Sequence, residues 1–409
     1  MKEKLLNTRM VYILFLNSRV LLLLNIFIAL FFISCSDNEA IDDNSYIEVR
    51  LSDYLKYGEN HSDAIRLCLN DCILYETKVI HFDIREICID EAILLDSNTT
   101  VVLEDCIIKQ NNGVFDNVFR GNNLVLEDDN PFGIPLHIDS ISNIRIIGRG
   151  ECKIIGPDVN AKIYHPVRNV EEDAIGDYYG WRTLQISFSL ASDIEISGIS
   201  FEQIRCWAIS FDKCSNVSVH DLSIFSDCKN GDGINIRSGC HHCEIYNITG
   251  DTSDDTIACS ALGRNVKRTY PDGNYIYPME PTVNLDPTGN MDVFEINIHD
   301  ISTVGNHHGV ILLTAYDNEI YNISISDFVE PENANRNRSS VLYLYTGYGA
   351  PSLSNKIHDV NIRNIVSNTA KYVIQSNMKC EDIYVSNLTQ NNTNGELYDL
   401  KYIDGFEFN

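Results

Sequence analysis

The amino-acid sequence predicts an all-β fold, a right-handed parallel β-helix with an N-terminal capping helix. A short strand-like phrase recurs along the chain, and most copies are 22–28 residues apart or separated by such an interval plus an insertion. A second apolar segment follows about ten to fifteen residues after each copy. One repeat cannot bury its apolar face alone, so the coils must stack.

The repeated phrase reads apolar-x-apolar-x-(Asn/Asp/Gly)-apolar, with the period of a strand and a turn residue near its end. Seven copies span 194–199, 217–222, 243–248, 296–301, 318–323, 355–360 and 383–388, and a weaker copy spans 144–148. Their central residues are spaced by 50, 23, 26, 53, 22, 37 and 28 residues. A leucine-rich solenoid would need a repeated Leu-x-x-Leu-x-Leu phrase, which is absent, and a β-sandwich would not give so regular a period. The second strands are predicted at 207–211, 233–236, 256–259, 309–313 and 341–345.

The N-terminal segment predicts export. Four basic residues precede the apolar stretch 20–34, and Cys35 follows it directly. This order resembles a bacterial lipoprotein signal, so we expect a signal at 1–34, lipid on Cys35 and a tether at 35–45. The alternative is a membrane anchor, although the stretch is short for a span of about 20 residues. The expected location is the outer membrane or cell surface, with the periplasmic face left open.

A single domain is predicted over 46–409, with an inserted loop at about 263–291. The capping helix is predicted where Ser62 and Asp63 open a helical pattern. Its apolar face consists of Ala64, Ile65, Cys68, Leu69 and Cys72. A helix over the first coil would cover its open edge.

Composition excludes several classes of protein. The chain has 31 Lys and Arg against 58 Asp and Glu, a formal charge of −27. Because the predicted signal carries four bases and one acid, the exported chain has a charge of −30. Such acidity argues against nucleic acid or an anionic membrane surface as partner. Membrane contact is therefore expected only through the lipid, and the protein is expected to be a monomer.

Besides Cys35 there are 12 cysteines. Export would permit them to form disulfides, but they could equally pack as small apolar groups.

Polar residues begin the second strands of successive coils. They are Asn230-Gly231-Asp232-Gly233, Ser253-Asp254-Asp255 and Asn306-His307-His308-Gly309. Since adjacent strands lie about 4.8 Å apart, Asp232, the Asp254–Asp255 pair and His308 should form one short row. Crowded carboxylates repel as anions, which raises one pKa and keeps a proton available. A retained proton and a neighbouring carboxylate are what glycosidic hydrolysis by inversion requires.

These motifs resemble the polygalacturonase-type enzymes of glycoside hydrolase family 28, whose pattern is Asn-Thr-Asp-Gly, Asp-Asp, Gly-His-Gly and Arg-Ile-Lys. The resemblance implies that Asp254 is the general acid and that Asp232 and Asp255 hold and deprotonate water. It also implies that His308 supports the acid or the substrate and that Asn230 orients Asp232. The substrate is then a polysaccharide or oligosaccharide, and no metal or cofactor is required.

The sequence departs from the family pattern at the basic strand, which Tyr343-Leu344-Tyr345 replaces. The Arg and Lys of that strand grip the substrate carboxylate in the family, so plain polygalacturonate is in doubt as substrate. Tyr343 and Tyr345 could form a stacking platform for a sugar or pack on the outer wall. Further substrate-binding candidates are His307 and the bases of the inserted loop, Arg264, Lys267 and Arg268, unless that loop is an ordinary variable one.

Two other functions stay open from the sequence. A polysaccharide lyase or uronate epimerase could hold Ca²⁺ on the aspartate row and use Tyr343 or His308 as base. A carbohydrate-binding or adhesion solenoid would use the same row only as turns. The segment Cys240-His241-His242-Cys243 does not predict zinc, because adjacent residues of a strand point to opposite faces.

Overall fold

Two large parallel sheets wind along the molecule. The computed structural model describes residues 45–126, 135–165, 170–263, 268–269, 275–276, 279–285, 289–332, 336–347, 351–352 and 355–409. Within this part, successive strands of each large sheet pair in parallel, as stacked coils require. The fold is therefore a parallel β-helix, as the sequence predicts.

The first sheet has sixteen strands. They are β1 (Tyr46–Arg50), β2 (Thr77–Phe82), β3 (Glu86–Ile89), β5 (Thr99–Glu104), β6 (Ile107–Gln110), β10 (Ile141–Arg149), β11 (Lys153–Ile155), β15 (Ala191–Ser197), β16 (Ser200–Glu202), β18 (Ser215–Phe225), β20 (His241–Thr252), β24 (Val293–Gly305), β26 (Ile320–Val329), β28 (Ile357–Ser367), β30 (Glu381–Gln390) and β32 (Phe406–Phe408).

The second sheet has ten strands and contains the predicted second strand of each coil. They are β4 (Ile93–Leu95), β7 (Phe119–Gly121), β14 (Ile186–Ser189), β17 (Ile209–Asp212), β19 (Ile234–Arg237), β21 (Ile257–Ala261), β25 (His308–Thr314), β27 (Ser340–Thr346), β29 (Tyr372–Ser376) and β31 (Glu396–Leu400).

Short elements decorate the coils. Antiparallel pairs join β8 (Leu124–Leu126) to β9 (Pro135–Ile138), β12 (Lys162–His165) to β13 (Val170–Asp173), and β22 (Arg268–Thr269) to β23 (Tyr275–Ile276). In the described ranges the helices are α1 (His61–Cys72) and α2 (Pro281–Leu285), and 3-10 turns span Leu51–Asp53, Asp177–Tyr179 and Trp181–Thr183.

The turn residue of each repeated phrase forms a corner of a coil. In all seven copies it has a left-handed backbone, with φ between 52° and 73°. Only Gly198 is a glycine; the others are Asp221, Asn247, Asp300, Asn322, Asp359 and Asn387. Asn and Asp tolerate this conformation better than other non-glycine residues, because their short polar side chains bond locally. The phrase thus encodes the corner as well as the strand.

The structure corrects the alignment of two copies. Ile298 pairs with Ile325, and Ile325 pairs with Ile362. The copies at 318–323 and 355–360 therefore form an earlier corner of the coil than the others do. Equivalent positions from Ile298 onward are spaced by 27, 37 and 23 residues instead of 22, 37 and 28. The alignment was wrong because both corners of a coil carry the same Asn or Asp signal.

The predicted N-terminal helix is present as α1. Its N-cap is Asn60, whose Oδ1 accepts a hydrogen bond from the Asp63 backbone N–H at 2.9 Å. The helix packs against β3 and β4. Its buried face joins the main core through Ala64, Ile65, Cys68 and Cys72, while Leu69 is only partly buried.

Residues Ile47–Asn409 form one compact unit. The twelve cysteines of the described part are unpaired, and ten of them are buried, which fits packing inside the coils. Cys35 and the predicted signal lie outside the described residues. No helix that the structure describes has the length and apolarity needed to cross a membrane.

Candidate active site

Three neighbouring strands bring the predicted polar residues into register. The pairing of β19 with β21 sets Asp232 opposite Asp255, and the pairing of β21 with β25 sets Asp255 opposite His308. Backbone hydrogen bonds continue this register beyond the strand ends, from Gly233 N–H to Asp255 C=O and from Thr256 N–H to His308 C=O, both at 2.9 Å. The predicted row therefore consists of Asp232, Asp255 and His308.

Asp254 lies beside this row rather than within it. The same register sets it opposite His307, and Asp254 Oδ1 is 3.2 Å from His307 Nδ1. The Asp254 side chain is 18% exposed and that of His307 is 58% exposed. The Asp-Asp pair thus supplies one carboxylate to the row and one to a more accessible position.

Asp232 is the most enclosed of the three carboxylates, at 6% exposure. Burial, followed by the charges of Asp254 and Asp255, raises its pKa well above the ordinary value. Its Oδ2 accepts a hydrogen bond from Asn235 Nδ2 at 3.2 Å. The sequence predicts that Asn230 orients Asp232, but this bond comes from Asn235. Asn230 Oδ1 has no hydrogen-bond partner among the described residues. Asn235 was missed because it lies within the strand and not in the turn motif.

Asp255 and His308 are tied together through the backbone. The His308 N–H donates to Asp255 Oδ1 at 3.1 Å, and His308 Nδ1 is 2.8 Å from Ser340 Oγ. Burial and then the charge of Asp254 raise the pKa of Asp255 well above its usual range. Burial lowers the pKa of His308 to about 3, so this imidazole is neutral at neutral pH.

The pKa of Asp254 is also raised, chiefly by burial, and the facing His307 opposes this shift. The negative charge of Asp177, the first residue of a 3-10 turn, raises the pKa of Asp254 further. Since all three carboxyl groups have raised pKa values, the cluster keeps a proton at a pH where isolated aspartates have lost theirs.

A buried arginine lies beneath the row. Arg338 is 1% exposed, its Nη2 donates to Thr256 Oγ1 at 3.0 Å, and its Nε is 3.8 Å from Glu330 Oε1. Its positive charge lowers the pKa of Asp255, against the larger effect of burial. Sequence reasoning missed Arg338 because no local motif marks a cation whose partners lie on other coils.

The inserted segment reaches the same sheet next to Asp232. Its Glu280 accepts a hydrogen bond from Arg237 Nε at 3.1 Å, and both side chains are buried. The Arg237 guanidinium also lies 4.7 Å from the ring of Trp207, which stands opposite Asp232 in the sheet. Of the bases expected to bind substrate, Arg264 and Lys267 lie outside the described residues, and Arg268 is described only as the start of β22.

Tyr343 and Tyr345 extend from the outer face of β27. Their rings are 4.9 Å apart, and the ring of Tyr343 is 4.8 Å from that of His308. Both rings pack against a buried apolar cluster that includes Ile311 and Leu313, yet both remain partly exposed. These contacts are therefore compatible with both predictions for the two tyrosines, packing on the outer wall and stacking against a sugar.

The Cys-His-His-Cys segment divides between two environments. Cys240 and Cys243 are buried in the main core, while the ring of His241 stacks on Phe294 at 4.8 Å. The two cysteines and His241 therefore have different surroundings. One group in the described part does bring metal-ligand types together, namely Asp255, His307 and His308.

Part of the sequence matches the model of a known protein family. The sequence model of "Glycosyl hydrolases family 28" matches residues 122–273, a stretch that contains Asp232, Asp254 and Asp255 and ends before His308. No curated protein matches significantly.

Two solved structures illustrate the architecture. An exopolygalacturonase from Thermotoga maritima is similar with a TM-score of 0.54 at 14% identity, over 84% of this chain and 81% of that one. A tailspike protein mutant of E. coli bacteriophage HK620, in complex with a pentasaccharide, has a TM-score of 0.57 at 10% identity, over 88% and 67%. At such identities these neighbours establish the fold alone. The family match over residues 122–273, together with the parallel β-helix, supports a glycoside hydrolase.

Proposed function

We propose that the protein hydrolyses a glycosidic bond with inversion, with Asp254 as general acid and Asp232 and Asp255 as the pair that holds and deprotonates water. The observation that supports this assignment is the split of the three carboxylates. Asp254 is the accessible one beside an exposed imidazole, whereas Asp232 and Asp255 face each other on adjacent strands. Strand spacing of about 4.8 Å lets one water bridge that pair.

The reaction follows from this division. Asp254, the accessible carboxyl group beside His307, gives its proton to the leaving glycosidic oxygen. The water between Asp232 and Asp255 loses a proton to the pair as its oxygen attacks the anomeric carbon from the opposite side. Asn235 and Arg338 favour the anionic form of the pair, through a hydrogen bond to Asp232 and a positive charge near Asp255.

For the substrate we propose a neutral sugar with an apolar face at the position next to His308. The partly exposed rings of Tyr343 and Tyr345 present carbon surface there. The nearby cations Arg237 and Arg338 are each paired with a buried glutamate, Glu280 and Glu330, respectively. A free carboxylate on the substrate would find these charges already neutralised.

The test is hydrolysis of a panel of neutral and acidic glycans, with the anomer of the first product read by NMR. Asp254→Asn and Asp232→Asn should each lower kcat by about 10²–10⁴-fold, because each removes a proton-transfer group. Asp300→Asn is the matched control, since Asp300 is an exposed corner residue where other coils carry Asn. It should leave kcat unchanged.

Three outcomes would contradict the proposal. Full activity in both Asp254→Asn and Asp232→Asn would remove the two carboxylates from the mechanism. Retention of the anomeric configuration would exclude inversion. An unsaturated product, read by its ultraviolet absorbance, would favour a lyase.

Cleavage of a substrate with a free carboxylate would contradict the proposed neutral sugar and would point to Lys371 as the group that binds the carboxylate. Lys371 lies in register with His307, two strands away, and Lys371→Ala would then raise KM for that substrate.

For the location we propose a lipid on Cys35 and attachment to the outer membrane or cell surface. The support is the sequence order of basic residues, apolar stretch and cysteine. Membrane fractionation tests it, since Cys35→Ser should release the protein from the membrane fraction.

A further inference from the structure

Three residues of the site have the chemistry of transition-metal ligands. Asp255, His307 and His308 each offer one ligand atom, and these atoms all lie within 4.8 Å of one another. Imidazole nitrogen and carboxylate oxygen are donors that Zn²⁺ and related divalent ions prefer. The three come from two adjacent strands of one rigid sheet, β21 and β25, so their backbones are fixed relative to one another.

Both imidazoles are held in the way that metal-ligating histidines are held. His307 Nδ1 lies 3.2 Å from Asp254 Oδ1, and His308 Nδ1 lies 2.8 Å from Ser340 Oγ. In each ring Nε2 is therefore the nitrogen left for a ligand. A carboxylate or hydroxyl on the far ring nitrogen is the usual second partner of a histidine that binds a metal.

The spacing permits a tetrahedral site after a small adjustment. Zinc ligands at about 2.0–2.2 Å from the metal stand about 3.4 Å apart. His308 is buried and fixed, but the His307 side chain is 58% exposed and has room to close the remaining gap. Because His307 faces solvent, the fourth coordination position of the metal ion would be open to water.

We propose that Asp255, His307 and His308 bind one divalent transition metal ion of the Zn²⁺ class, and that its binding inhibits hydrolysis. The binding follows from the geometry alone. The inhibition rests on the proposed function, because the ion would occupy the Asp255 oxygen that holds water. The enzyme would thus be active without metal and reversibly silenced by it.

Titration calorimetry of the untagged, EDTA-treated and dialysed full chain with ZnCl₂ tests the binding. We expect one saturable site. Its affinity should fall about 10–100-fold in Ser340→Ala, which loses the hydroxyl beside His308 Nδ1, and should fall further or vanish in His307→Ala. The control is His242→Ala, which removes an equally exposed histidine that pairs with Glu295 elsewhere on the molecule. Equal affinity in wild type and His307→Ala, or no saturable site in wild type, would overturn the proposal.

A second arm measures hydrolysis against the concentration of ZnCl₂. Half-inhibition should occur near the calorimetric Kd, EDTA should restore the rate, and His307→Ala should escape inhibition. One-site binding that leaves the rate unchanged would overturn the inhibition. If Asp254→Asn and Asp232→Asn stay fully active while His307→Ala loses the zinc site, the proposed mechanism fails and the metal site stands.

Discussion

The carboxyl group of Asp232 occupies a place where charge is costly. It is buried and faces two other carboxylates, and its ionised form is favoured by a hydrogen bond from Asn235 and by the charge of Arg237. A protein selected for stability alone would have a neutral side chain here, because an ion removed from water needs close compensation. The raised pKa of Asp232 is a consequence first of this burial and then of the charges of Asp254 and Asp255.

Asp232→Asn is therefore expected to stabilise the protein while it abolishes activity. The folded pKa of Asp232 lies above its ordinary value, so ionisation destabilises the folded state as the pH rises through that raised pKa. Asparagine never ionises and still accepts the bond from Asn235. The free energy of unfolding should rise on the order of 1–3 kcal/mol at neutral pH. The gain should shrink below the ordinary pKa of aspartate, where wild type is uncharged too.

Urea unfolding of wild type and Asp232→Asn at about pH 4 and about pH 8 measures this difference. Asp300→Asn serves as control, since its carboxylate is exposed. A variant that is less stable than wild type at the higher pH would refute the argument, and so would a gain that is independent of pH.

At the scale of the element, corner residues hold neighbouring coils together. Asn364 has a φ of 56°, donates from Nδ2 to Asp327 Oδ1 at 2.9 Å, and accepts from Asn387 Nδ2 at 3.0 Å. The Asn364 side chain thus serves its own backbone turn and links two adjacent coils. This double role explains why the repeated phrase keeps Asn or Asp where a strand would favour a β-branched residue.

Asn364→Val should lower the free energy of unfolding by about 2–3 kcal/mol. Valine adopts a left-handed backbone at a cost of about 1–2 kcal/mol, and the two side-chain bonds are lost as well. Asn364→Gly should lose less, since glycine accepts this backbone conformation freely. The control is Asn361→Val, an exposed position in the interior of the same strand, which should change stability by less than about 0.5 kcal/mol. Equal losses in the two valine variants would contradict the corner argument.

The repeat allowed much of the element scale to be predicted from sequence. Strand alternation and corner residues are local signals, so the coils, their second strands and the proximity of Asp232, the Asp254–Asp255 pair and His308 could be predicted. That Asp254 lies beside the row rather than within it could not. The register of the copy at 318–323 with the neighbouring strands could not be predicted, because both corners of a coil carry Asn or Asp. Nor could the environment of Arg338, since burial with Glu330 depends on coils being stacked. An ion pair between buried residues that are distant in sequence produces no repeating pattern from which it could be predicted.

At the scale of the whole molecule, the formal charge of −27 shapes which substrates can approach. Acidic groups dominate the chain, and the site itself contains three carboxyl groups. A polyanionic glycan would meet long-range repulsion that salt screens, whereas a neutral glycan would not. Net charge thus acts on the rate of encounter rather than on the fold.

We therefore expect kcat/KM for a neutral oligosaccharide to change less than about twofold between low and about 0.5 M NaCl. For an acidic oligosaccharide the value should be lower at low salt and should rise as repulsion is screened. Initial rates across a salt series measure both. A high rate on an acidic glycan that falls as salt is added would show attraction and would contradict the proposed neutral substrate.

The inserted segment has an evolutionary consequence. Cys243 and Ile296 pair directly although 53 residues separate them, and the strands on both sides keep a continuous register. A change in the length or composition of the chain between Ala261 and Val293 therefore leaves the backbone positions of Asp232, Asp254 and Asp255 unchanged. Recombination at the ends of this segment could exchange substrate preference between related enzymes without rebuilding the catalytic residues. Natural diversification of such enzymes, and chimeras made in the laboratory, should concentrate between Ala261 and Val293.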